Sequence, residues 1–202
     1  MRAPVKLYLA SSNAGKLAEF RALAQRLPSL AAEAAPLPEF DSLPGFAEAA
    51  PTFAENATGK ALHYSKFHDG LVFADDSGLV VPALGGAPGV HSARYAGTTA
   101  TSADRISKLL NDLRGRTGAE RRGHFACAIA LARGGRALAI VTDRVDGEIL
   151  PAPRGDAGFG YDPVFFFPPL GKTFAELSVS EKNQHSHRGK AFSKFLHFLR
   201  DK

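Results

Sequence analysis

Phe73-Ala74-Asp75-Asp76-Ser77-Gly78 is the segment from which the architecture of this chain can be inferred. The apolar run that leads into it, Leu71-Val72-Phe73-Ala74, reads as a buried strand. Side chains alternate faces along a strand, so Asp75 and Asp76 aim in opposite directions. One carboxylate can then face a site while the other anchors a loop. The doublet is expected at the strand's carboxyl end, where open α/β sheets gather their functional residues. Two like charges this close are costly unless a cation or hydrogen bonds offset them. Asp-Asp-Ser-Gly is also good turn chemistry, and a plain turn is the competing reading.

Upstream, Val5 to Ala10 reads as a first strand, followed by the loop Ser11-Ser12-Asn13-Ala14-Gly15-Lys16. A helix follows with Leu17, Phe20, Ala24 and Leu27 on one face, ended before Pro28. Strand, Gly-containing loop, and helix with a lysine in its first turn make a phosphate-binding layout, because amide N–H groups and the positive helix end face the anion. It is not a P-loop, which needs a glycine where Ala10 stands and a hydroxyl where Leu17 stands. Without that hydroxyl a metal ion must be held by carboxylates elsewhere, which points back to Asp75 and Asp76. An ordinary capped helix with a surface lysine is the alternative. Pro36 to Pro51 reads as a loop or edge segment carrying Glu39, Asp41 and Glu48. Thr52-Phe53-Ala54-Glu55 reads as a capping box opening a helix to about Phe67, with Phe53, Ala57, Ala61 and Tyr64 buried.

Downstream, Leu79 to Val81 is a candidate continuation of the strand. Gly85-Gly86-Ala87-Pro88-Gly89-Val90 is a turn-dense loop, and Ile106, Leu109, Leu110 and Leu113 mark an amphipathic helix closed by Gly115. Phe125 to Ala132 and Ala137 to Val145 read as a hairpin joined through Gly134-Gly135. Cys127 falls inside it and reads as core. Asp156-Ala157-Gly158-Phe159-Gly160-Tyr161-Asp162-Pro163 is a second unusual loop. Phe159 there either stacks on a nucleobase or tucks into the core. Val164 to Phe167 is a buried strand. Glu181 to Arg188 precedes a final helix whose buried face is Phe192, Phe195, Leu196 and Leu199. Lys182 and Arg188 could hold a phosphate or a carbonyl. Positive charge at a helix N-terminus is unfavourable, which suggests a use for it beyond solvation.

The 202 residues fit one domain, 1–202, and the chain is 45% hydrophobic and 22% charged, as in globular proteins with a substantial core. A net charge of +5 suits an anionic partner, either nucleic acid or a phosphorylated small molecule. One cysteine excludes an internal disulfide and points to a reducing compartment. The first apolar run is too short for a signal-peptide core, and no stretch is long enough to span a bilayer, so a cytoplasmic address is expected. Alternating strands and helices followed by a hairpin argue for α/β with a mixed sheet.

Five motifs taken together resemble one family. They are Ser11 to Lys16; Ala74-Asp75-Asp76-Ser77-Gly78-Leu79; Gly85 to Val90 with Ser92-Ala93-Arg94-Tyr95; Phe159-Gly160-Tyr161-Asp162-Pro163; and Glu181-Lys182-Asn183 with Ser186-His187-Arg188. In that order they resemble the inosine triphosphate pyrophosphatases, also called dITP/XTP pyrophosphatases. The resemblance implies an α/β fold with an elongated mixed sheet and flanking helices, two lobes around a central active-site cleft, and a homodimer. It implies hydrolysis of ITP, dITP and XTP to the monophosphate and pyrophosphate with Mg²⁺, and no nucleic-acid or membrane partner. By similarity, Asp76 is the proton acceptor and a metal ligand, Glu48 the second metal ligand, and Ser77 a substrate contact. Ser11, Ser12, Asn13, Ala14, Gly15 and Lys16 hold the triphosphate. Phe159, Gly160, Tyr161 and Asp162 form the base pocket, completed by Lys182, His187 and Arg188. At Glu48 the chain departs from the family, which usually has a glycine after that acid where Ala49 stands. The competing readings are a pyrophosphatase of other nucleotides on a similar fold, and a non-enzymatic nucleic-acid binder. No basic run with interleaved aromatics supports the latter.

Overall fold

The computed structural model describes residues 4–25 and 31–201. Leu27 and Pro28, expected to face and to end the first helix, lie outside the described residues. The strands are β1 (Val5–Leu9), β2 (Ala32–Pro36), β3 (Leu71–Val80), β4 (Arg122–Arg133), β5 (Arg136–Ile149), β6 (Phe165–Phe167) and β7 (Lys172–Thr173). The α-helices are α1 (Ala14–Ala24), α2 (Phe53–Tyr64), α3 (Ser102–Asp112), α4 (Val179–His185) and α5 (His187–Arg200). One open sheet has the order β2-β1-β3-β4-β5-β6-β7. It is mixed: β1 pairs in parallel with β2 and β3, and β6 pairs antiparallel with β5 and β7. The expected α/β fold with a mixed sheet and flanking helices is thus the fold observed.

The chain forms two compact units. The first comprises Met1–Asp76, Cys127–Asp143 and Arg188–Lys202; the second comprises Ser77–Ala126 and Arg144–His187. In the first unit the period-2 alternation of strands sorts the apolar residues onto two faces. Leu7, Leu9, Phe73, Ile129 and Leu131 pack with Phe20 and Leu23 of α1 and with Phe192, Phe195 and Leu196 of α5. On the other face Ala10, Val72, Ala74, Ala128, Ala130 and Ala132 pack with Ala57, Ala61 and Tyr64 of α2. The alanines of β4 let α2 lie close to that face. Cys127 is buried in the first of these clusters, as expected. Gly134 and Gly135, with φ of 54° and 73°, make the two-residue turn between β4 and β5 that a hairpin's twist favours. The second unit has its own core, in which Ile106 and Leu109 of α3 pack with Leu79, Phe125, Ile149, Tyr161, Phe165 and Phe174.

Several expectations need correction. The Asp75-Asp76 doublet is not at the end of its strand, because β3 runs unbroken from Leu71 to Val80. Its parallel pairing with β1, however, stops at Leu9 and Phe73, so the doublet lies just past the shared part. Strand β2 went unread: Ala32–Pro36 has no β-branched or aromatic residue, and its strand geometry comes from pairing with β1. Helix α2 ends at Tyr64 rather than near Phe67. In its cap the Thr52 hydroxyl accepts from the Glu55 amide and donates to the Glu55 carboxylate, which replaces the reciprocal backbone bond of a full box. Lys182 is not at the start of the final helix. It belongs to the separate helix α4, opened by a capping box between Ser178 and Glu181.

Candidate functional site

Alternation along β3 sends the two aspartates to opposite faces of the first unit. Asp75 follows Phe73 onto the face covered by α1 and α5. There the Lys16 ammonium meets its Oδ1 at 2.9 Å, and Nε of Arg188 lies 3.5 Å from its Oδ2. The Arg188 guanidinium, itself 3% exposed, also pairs with Glu19 of α1. Lys16 and Arg188 with Asp75 and Glu19 carry two positive and two negative charges, which balance. Burial opposes the Asp75 charge, but Lys16, Arg188 and Lys60 outweigh it and hold the carboxyl well below its usual range. Burial likewise opposes the Arg188 charge, and Glu19 and Asp75 more than restore it. The unfavourable charge at the start of α5 is therefore answered by acids, not by solvent.

Asp76 follows Ala74 onto the α2 face. The Asn56 side chain, Lys60 and Glu48 all act on its charge, Asn56 and Lys60 favouring it and Glu48 opposing it. Glu48 in turn accepts from the Lys60 ammonium. Burial comes first, then Glu48, in pushing the Asp76 carboxyl up to about 6 against the pull of Lys60, Lys16 and Asn56. Burial would lower the Lys60 pKa, but Asp75, Glu48 and Asp76 hold it above its ordinary value. Glu48, Asp76 and Lys60 sum to one negative charge when Asp76 is ionised. That deficit, together with hard carboxylate oxygens, fits a divalent cation such as Mg²⁺, which completes its coordination with water and phosphate oxygens. No group of three or more His, Cys, Asp or Glu able to hold a metal occurs among the described residues, so any ion here relies on such outside oxygens.

The Ser11–Lys16 segment lies at the end of β1 and the start of α1. Asn13 caps the helix by accepting from the Lys16 amide at 3.0 Å, and the Ser11 hydroxyl accepts from the Asn13 amide at 3.2 Å. Ser12, Asn13, Ala14 and Gly15 are exposed, as an anion-binding helix start requires.

The second unit carries its own constellation. Phe159 is 39% exposed, so it does not tuck into the core. Oδ2 of Asp162 accepts from the Phe159 amide and from the Lys182 ammonium, each at 2.7 Å. Lys182 then stands 4.5 Å above the Phe159 ring, a cation–π contact. The His187 ring stacks on Phe125 at 4.7 Å and 11°. Gly160 has φ of 65° and is part of the same turn. Tyr161 differs from its neighbours: its ring is in the core and its hydroxyl donates to the Ser92 carbonyl at 3.0 Å. Ser77 is half-buried in β3.

The first unit thus gathers Lys16, Glu48, Asp75, Asp76 and Arg188, and the second gathers Phe159, Asp162, Lys182 and His187. Sequence reasoning missed Asn56, Lys60 and Glu19. The signal for the first two was present. They stand four apart, each directly before an apolar-face residue of α2, Ala57 and Ala61.

An open α/β sheet bearing a buried acid pair, with Lys60 on one side and Lys16 of the helix-start loop on the other, fits the class of proteins that handle polyphosphates. Comparison with known proteins gives the particular family. The Ham1 family model matches residues 7–198. A dITP/XTP pyrophosphatase of Geobacillus kaustophilus is 51% identical over 189 residues, covering 94% of this chain and 91% of the relative. The solved HAM1 protein of Coxiella burnetii superposes with a TM-score of 0.86 at 42% identity, covering 98% of this chain and all (100%) of the other. The Staphylococcus aureus Ham1 protein does so with 0.84 at 37% identity, covering 97% and 98%. The chain belongs to the Ham1 family.

Proposed function

We propose that this chain hydrolyses deaminated purine nucleoside triphosphates, ITP, dITP and XTP, to the monophosphate and pyrophosphate. The names of its relatives support the reaction class. The observation that carries the assignment is Asp76, a buried carboxylate on the face of Glu48 and Lys60, which burial and Glu48 push up to about 6. A group poised there is ionised at neutral pH yet basic enough to take a proton from water.

Water adds to one phosphorus of the α–β anhydride, the bond from that phosphorus to the bridging oxygen breaks, and the monophosphate and pyrophosphate separate. Asp76 accepts or orients the proton of the attacking water. Lys16 and the exposed residues 12–15 bind the phosphate chain, and Lys16 stabilises the leaving pyrophosphate. Asp76 and Glu48 would hold Mg²⁺, which supplies charge neutralisation and a water of lowered pKa. Phe159 offers a stacking face for the base. Lys182, held by Asp162, is a hydrogen-bond donor beside that face. Hypoxanthine and xanthine carry an oxygen at the 6-position, whereas adenine carries an amino group that a donor opposes. A site built on such bonds rejects the wrong base by ~10⁴ or more.

No helix among the described residues is long and apolar enough to cross a membrane. A cytoplasmic homodimer completes the proposal. Pyrophosphate release from ITP, XTP, dITP, GTP and ATP, with and without Mg²⁺, tests it. Release from the first three and dependence on Mg²⁺ are expected. Comparable rates on ATP would overturn the base assignment.

A further inference from the structure

Residues 44–50, the segment that carries Glu48, are tied to α2 at successive turns. The Pro44 carbonyl accepts from Nε2 of His63 at 2.7 Å. The Phe46 ring rests against Gly59, where a Cβ would stand 2.5 Å from its Cζ. Glu48 pairs with Lys60. The Ala50 amide donates to Oδ1 of Asn56 at 3.0 Å, and Nδ2 of Asn56 donates to the Ala50 carbonyl at 3.2 Å. Residues 56, 59, 60 and 63 recur at helical spacing, so one face of α2 acts as the bed for the segment.

Asn56 differs from the others on that face. It is 1% exposed, and its side chain also acts on the Asp76 carboxylate, favouring the charged form. One amide therefore holds the segment that bears Glu48 and acts on the carboxylate of Asp76. With its oxygen and its nitrogen both committed to Ala50, it cannot turn without breaking bonds. The two acids lie 28 residues apart in sequence, numbered 48 and 76. Nothing local fixes their separation.

We propose that Asn56 is a positioning residue that sets the spacing of the Glu48 and Asp76 carboxylates, and with it the affinity of the site for a divalent cation. The inference rests on the reading of those two acids as the cation's ligands. Asn56 acts through them and does not contact substrate. Partners that orient metal ligands in this way typically account for 10–100-fold in metal affinity. Gly59 belongs to the same device: a methyl group there pushes Phe46 off its bed and shifts the segment that carries Glu48.

Mn²⁺ binding followed by electron paramagnetic resonance, together with the Mg²⁺ dependence of ITP turnover, tests this. Wild type, Asn56→Ala, Gly59→Ala and Glu48→Gln are compared. Asn56→Ala is expected to weaken Mn²⁺ binding by about tenfold or more and to raise the half-saturating Mg²⁺ by a similar factor. At saturating Mg²⁺ its kcat should recover to within a few-fold of wild type, which a merely structural lesion would not allow. If Asn56→Ala does not fold, Gly59→Ala decides. Alanine is the better helix former by ~0.5–1 kcal/mol, so α2 itself is not weakened, and only the bed of residues 44–50 is disturbed. The double variant Gly59→Ala, Phe46→Leu should regain part of the lost affinity. Unchanged Mn²⁺ affinity in the folded variants would overturn the role of Asn56 alone. Wild type that binds no Mn²⁺, or Glu48→Gln that binds it as wild type does, would overturn the ligand reading beneath it as well.

Discussion

The Lys16 ammonium lies 2.9 Å from Oδ1 of Asp75, a residue with 0% of its surface exposed. The phosphate-loop lysine is thereby fixed from below by the aspartate that does not face the α2 side. Removing one partner of a buried pair leaves an uncompensated charge, at a cost of about 3–5 kcal/mol. Asp75→Asn should lose stability of that order at pH 7 in urea denaturation, because Lys16 and Arg188 both lose their counter-charge. The sign with pH follows from the lowered pKa. The contribution is fully present above the ordinary value of 3.8 and fades as pH falls towards the depressed one. The gap between wild type and variant should therefore narrow below pH 3.8. A variant as stable as wild type at pH 7 would contradict the balanced-charge account.

Asp76 has the opposite sign. Its carboxyl is raised from 3.8 to about 6, so the folded protein holds a proton that the unfolded chain releases between those values. Stability from this group is greatest below 3.8 and is lost as pH rises through about 6. In the presence of a chelator at pH 8, Asp76→Asn should be more stable than wild type by roughly 2–3 kcal/mol, at about 1.4 kcal/mol per pKa unit. The difference should vanish near pH 3. Turnover of ITP should meanwhile fall by about 10²–10⁴ with little change in nucleotide binding. Near-normal turnover would remove Asp76 from its role.

Rising Mg²⁺ should move the acid limb of the pH–rate profile down from about 6, to which burial and Glu48 push the Asp76 carboxyl. A cation beside the carboxylate favours its ionised form. Profiles recorded at low and saturating Mg²⁺ check this; coincident acid limbs would place the cation away from Asp76.

Gly158 adopts φ of 77°, and a Cβ there would stand 2.2 Å from Oδ2 of Asp162. That oxygen holds both the Phe159 amide and Lys182. Gly158→Ala should therefore release the stacking face, raising KM for ITP by about tenfold or more while kcat changes little, since αL strain alone costs ~1–2 kcal/mol. Steady-state kinetics on ITP decide it, and an unchanged KM would deny Phe159 a part in binding.

Cys127 is 1% exposed, and burial pushes its thiol well above the ordinary value. The folded protein should resist alkylation by iodoacetamide at pH 8 and be labelled fully in 6 M guanidinium, as read by mass spectrometry. Rapid labelling of the folded protein would contradict its place in the core.

Much was legible because local rules agree with the final packing. The alternation at Leu71 to Asp76, the helical spacing of Phe53, Ala57, Ala61 and Tyr64, and the Gly134-Gly135 turn each encode their own geometry. Strand β2 was not legible because its alanines have no strand preference of their own. Asn56 and Lys60 went unread because, on a helix with an apolar stripe, a polar residue beside that stripe looks like ordinary surface.

From residue order alone came the elements, the opposed aspartates, the helix-start loop and the aromatic between glycines, because each depends on neighbours a few positions away. What each charge meets was settled by long-range packing. Lys16 and Arg188 settle on Asp75, while Asn56, Lys60 and Glu48 gather at Asp76. Those encounters are fixed by which helix covers which face of β3, and the pKa of a buried carboxylate depends on the groups brought beside it, however distant they are along the chain.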